Sequence, residues 1–62
     1  MLSDGQINLL LARLNAAGYA SERAKYDWLY ENDVNVNDFS QLAQLTQMRL
    51  HDLLNSLMKE TV

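Results

Sequence analysis

His51 is the single histidine of this 62-residue chain, and it stands beside Asp52, the one place where a general base and a carboxylate of the kind that orients one are adjacent. Neighbouring residues on a helix point about 100 degrees apart, so the two do not face each other and form no ready dyad. A partly exposed histidine is the plain reading. Ser21, Ser40 and Ser56 have no base at a useful spacing, and Ser21, like Ser3, is better placed to cap a helix. There is no Cys, and the carboxylate pairs Asp27 with Glu31 and Asp33 with Asp38 match no calcium-loop spacing. Gly5 and Gly18 are too few for a phosphate-binding loop. An enzyme is therefore not expected, and neither a cofactor nor a metal ion is implied. What these residues specify is an architecture and a surface.

The surface with most to offer is aromatic and apolar. Tyr26 and Tyr30 lie four apart around Trp28, and Leu45 and Met48 are apolar residues set among Gln41, Gln44, Asp52 and Asn55. Aromatic residues are enriched at the centres of protein interfaces, so Tyr26, Trp28, Tyr30, Leu45 and Met48 are expected to meet a partner protein. The competing reading has the aromatics close the ends of a small core with their hydroxyls in water.

Charge narrows the partner classes. Five Lys and Arg against eight Asp and Glu give a net charge of −3, scattered along the chain, so the protein is small and acidic. From residue 38 onward Arg49 and Lys59 are opposed by Asp38, Asp52 and Glu60. Phosphate neutralisation supplies most non-specific DNA affinity, so nucleic acid is not the expected partner. No apolar run approaches the length of a membrane helix, and no basic face accompanies an apolar stripe, so no membrane association is expected. The N-terminus lacks the basic and apolar regions of an export signal; with no Cys to exploit an oxidising compartment, the cytoplasm is the expected location.

The elements that must position these residues are helical. Twelve Leu with Trp28, Phe39 and three Tyr argue against disorder, and Pro is absent. Ser3 and Gln6 have capping-box spacing, and Ile7, Leu10, Leu11 and Leu14 share one face, which predicts a helix over 4–17 closed by Gly18. Ser21 caps a second helix over 21–31, with Arg23 and Asp27 paired on its solvent side. The Asn-rich segment 32–37 reads as a loop whose Val34 and Val36 tuck inward.

Phe39, Leu42, Ala43, Thr46, Leu50, Leu53, Leu54 and Leu57 keep a three-four spacing, which predicts one helix over 38–59 with a continuous apolar face. The expected fold class is all-α, one small domain with two short helices packed along a long C-terminal third helix. Such a helix would be about 33 Å long. Its excess would be open to a second copy, so a homodimer or other homo-oligomer is expected, with Leu50, Leu53, Leu54 and Leu57 as core and self-contact.

An alternative partition breaks that helix at Thr46 and Gln47. Leu42-Ala43-Gln44-Leu45-Thr46 followed by Leu50, Leu53 and Leu54 resembles the helix-turn-helix of bacterial repressors, without the turn glycine. That resemblance implies a DNA-binding regulator with Gln47, Arg49, His51 and Asn55 as readers, and Met48 and Asp52 also entering the major groove. A turn at Thr46 and Gln47 would move the preference toward it. Separately, Leu14-Asn15-Ala16-Ala17-Gly18-Tyr19 with Ala24, Trp28 and Leu29 resembles the first loop and second helix of ubiquitin-associated three-helix domains, with Ala17 where that family has Met. This resemblance implies a peptide- or protein-binding module with Gly18 and Tyr19 in its contact surface. The leading expectation is a small protein-protein interaction module acting as an accessory or regulatory protein.

Overall fold

The computed structural model describes residues 1–60. They form α1 (Asp4–Ala16), α2 (Glu22–Glu31), a 3-10 helix (Phe39–Gln44) and α3 (Gln47–Glu60). The all-α class holds, but the count of three helices is corrected to four: the expected single helix over 38–59 is two elements meeting at Leu45 and Thr46.

The local chemistry of α1 and α2 explains their limits. Ser3 Oγ accepts the Gln6 amide while Gln6 Oε1 accepts the Ser3 amide, a closed capping box. Ser21 Oγ accepts the Ala24 amide at 3.0 Å in the same role for α2. Both helices end in the same device. Beyond α1, Gly18 takes φ 105°, its amide donates to the Asn15 carbonyl, and the Tyr19 amide donates to that of Leu14. Beyond α2, Asp33 takes φ 66°, its amide donates to Tyr30, and the Val34 amide donates to Leu29. These are Schellman closures, and each turns the following side chain, Tyr19 or Val34, onto the core.

The break has an equally local cause. Leu45 is extended, at ψ 152°, and its amide donates to the Leu42 carbonyl, ending the 3-10 helix. Thr46 Oγ1 then accepts the Arg49 amide at 3.1 Å, so Thr46 is the N-cap of α3. A straight 22-residue rod would exceed the molecule's longest extent, 28 Å, and would run past the 13 residues of α1. Folding at 45–46 brings both halves against α1, which contacts every other helix.

The core that results holds Leu2, Ile7, Leu10, Leu14, Trp28, Leu29, Val34, Leu42, Leu50, Leu53 and Leu57. Leu2 is held there by its amide donating to the Ala43 carbonyl. Lys25, the one buried charged residue among those described, places its ammonium 2.7 Å from the Ala20 carbonyl.

Candidate functional site

Of the five residues expected to meet a partner, two stand well out in solvent. Tyr30 is 67% and Met48 76% exposed. Trp28 belongs to the core: it is 2% exposed, and its indole N–H donates to Glu60 Oε2 at 2.7 Å. Tyr26 is half-buried and stacked on Phe39, with ring centroids 4.2 Å apart and planes within 7°. Leu45 packs against the core at the turn. Of the four residues expected at a self-contact, Leu50, Leu53 and Leu57 lie in the chain's own core, and Leu54 is half-buried at its edge.

The residues named as DNA readers are placed equally clearly. His51 and Asn55 are exposed on α3. Arg49 donates from its guanidinium to the Asn32 carbonyl at the end of α2, a helix with no basic residue in its own last turn, so it supplies the cation which that negative helix end favours. Gln47 is tied to α1: its amide donates to Gln6 Oε1 at 3.0 Å, and Gln6 donates in return. The Gly18 and Tyr19 pair is divided, with Gly18 exposed and Tyr19 turned in toward Trp28, ring centroids 6.2 Å apart.

That Gln6–Gln47 pair shows how α1 and α3 lie. It joins their N-terminal ends, while their C-terminal ends meet where Arg13, Ala16 and Ala17 face Leu54, Leu57 and Met58, so the two helices run side by side in the same direction. At the C-terminal end the alanines do not fill the space, and an open groove of about 270 Å³ remains. Its walls are a half-buried Leu54 and Met58, which is 61% exposed. Leu9, 42% exposed, continues the same face of α1 one turn before Arg13.

On the other side of α3, Glu60 accepts hydrogen bonds from both Trp28 and Tyr19. The hydrogen bond to Glu60 pushes the Tyr19 phenol above its ordinary pKa, helped by partial burial and by the charges of Glu60 and Glu31. This cluster is a clasp between α2 and α3, with every donor engaged.

The periodicity of α3 contained the groove wall, but Arg13, Ala16, Ala17 and Met58 were missed. The available signal was an arginine with no acidic residue three or four positions away, next to small residues. Among the described residues no group of three or more His, Cys, Asp or Glu could hold a metal ion, and no helix is long and apolar enough to cross a membrane. Comparison with family models, with curated proteins and with solved structures finds no match.

Proposed function

We propose that this chain is a small protein-protein interaction module, an accessory or regulatory protein that acts through the groove between α1 and α3. The observation that carries the reading is that groove: an apolar cleft lined by Ala16, Ala17, Leu54 and buried Leu57, with exposed Met58 at its edge and exposed Leu9 a turn away along α1. The volume is at the low end for a small-molecule site, commonly ~300 Å³ or more, and the cleft is open rather than enclosing, which suits a side-chain ridge from a partner. A cytoplasmic setting belongs to the same reading and is supported by the lack of Cys. Self-association through Leu50, Leu53 and Leu57 is left out of it, because those side chains are used internally.

A photo-crosslinking residue at position 16, compared with one at exposed Ala12, tests the proposal in extracts of the native cell. A single protein captured at 16 and displaced by excess unlabelled chain is expected. Equal labelling at both positions would refute the groove.

The turn at Leu45 and Thr46 favours a second reading, a DNA-binding regulator of helix-turn-helix type. Against it, Gln47 and Arg49 are engaged inside the molecule, and Lys25 is buried against a carbonyl. Arg23 is paired with Asp27 at 3.4 Å, which leaves Arg13 and Lys59 as the cations without a hydrogen bond or ion pair among the described residues. A gel shift at low salt separates the readings, because the phosphate contribution is largest there. No retardation is expected.

A further inference from the structure

The charges around the groove say what its occupant carries. In a chain with eight acidic residues, the residues that line it include none: Arg13, Ala16 and Ala17 on α1, and Leu54, Leu57 and Met58 on α3. Arg13 has only Leu9, Leu10, Ala16 and Ala17 at the three- and four-residue spacings where a helical partner would sit. Arg23, by contrast, has Asp27. Among the described residues Arg13 and Lys59 are the two Lys or Arg side chains with no hydrogen bond or ion pair, and Arg13 is the one that lines the apolar cleft.

We infer that the groove takes an amphipathic helix of another protein, with an apolar ridge that enters between Leu54 and Ala16 and a carboxylate beside that ridge that pairs with Arg13. The inference rests on the interaction-module reading and specifies its partner. A helix fits better than an extended strand because the helices flanking the groove bond their own backbone internally and offer no edge for main-chain pairing. The groove is lined from Arg13 to Ala17 on α1 and from Leu54 to Met58 on α3, about 6 Å or one turn of each helix, so the ridge has apolar residues at i and i+3 or i+4. A second copy of this chain does not supply that ridge. Its helices bury their rows of large apolar residues, and the large hydrophobic residues left exposed, Leu9, Tyr30, Met48 and Met58 among the helical ones, form no such row on any one helix.

The test is selection from a displayed library of helical peptides, about four turns long, against the wild-type protein and the Arg13→Glu and Ala16→Trp variants. Both positions are exposed, and circular dichroism checks that each variant folds. The wild type is expected to enrich peptides with the apolar ridge and flanking Glu or Asp. Arg13→Glu should bind those peptides about tenfold more weakly and select Lys or Arg instead. Ala16→Trp should bind neither set.

Apolar peptides with no charge preference, still blocked by Ala16→Trp, would overturn the acidic partner and leave the groove reading standing. Peptides indifferent to Ala16→Trp, or no enrichment at all, would overturn both. Concentration-dependent dimerisation abolished by Ala16→Trp would make a second copy the occupant and overturn the inference.

Discussion

Glu60 takes hydrogen bonds from Trp28 and Tyr19 with one carboxylate, and this has a measurable pH signature. The folded phenol of Tyr19 holds its proton to a higher pH than an unfolded tyrosine, near 10. The stabilisation from that shift is therefore fully present below about pH 10 and is lost as pH rises through the elevated folded value. Ultraviolet titration of the phenolate band should show a step for Tyr19 above the range of an unfolded tyrosine, and Glu60→Gln should bring that step to lower pH. Coincident titration in wild type and variant would remove the clasp. A second residue-scale consequence concerns Asp33, which occupies the left-handed position of a Schellman closure where glycine has no steric cost. Asp33→Gly should raise stability by about 0.5 kcal/mol, and Asp33→Ala should lower it, both readable by urea denaturation.

At the scale of elements, the caps of α1 and α2 were legible because they are local: Ser3 with Gln6, Ser21 and Gly18 act within a few positions in sequence. The break at Leu45 was not. The three-four periodicity from Phe39 to Leu57 is the same for one helix as for two segments that both turn their apolar side toward α1, and neither Gly nor Pro marks the join. Thr46 decided it, through a hydroxyl that caps α3 rather than a methyl that continues a stripe. Thr46→Ala is accordingly expected to cost about 1 kcal/mol in chemical denaturation. In an unbroken helix the same change would be neutral or stabilising, since alanine is the better helix former. The engagements of Gln47 and Arg49 were illegible for a different reason: their partners are 41 and 17 residues away. The groove was half legible, since Leu54 and Leu57 were on the predicted face while the part played by Ala16 and Ala17 depends on how α1 and α3 align.

For the whole molecule, α1 is the organising element, since every other helix contacts it. A chain of this size has a total stability on the order of 3–9 kcal/mol, and Leu10, Leu14, Leu29, Leu42 and Leu53 are its largest fully enclosed side chains. Leu53→Ala should cost about 2–5 kcal/mol, enough to bring the chain to the edge of unfolding at room temperature, as a thermal melt would show. Leu54→Ala, at the groove edge, should cost less than half as much. Equal losses would mean that Leu54 is core and the groove is closed.

The enclosed indole gives the molecule an optical gauge. Trp28 is the sole tryptophan, and its N–H is held by Glu60, two residues along α3 from Met58 and so about 200 degrees around the helix from the groove wall. Its emission follows whether α2 and α3 stay joined, shifting to the red as solvent reaches the ring. A ligand seated against Leu54 should leave the colour of that light unchanged, so one fluorescence trace separates occupancy from loss of fold.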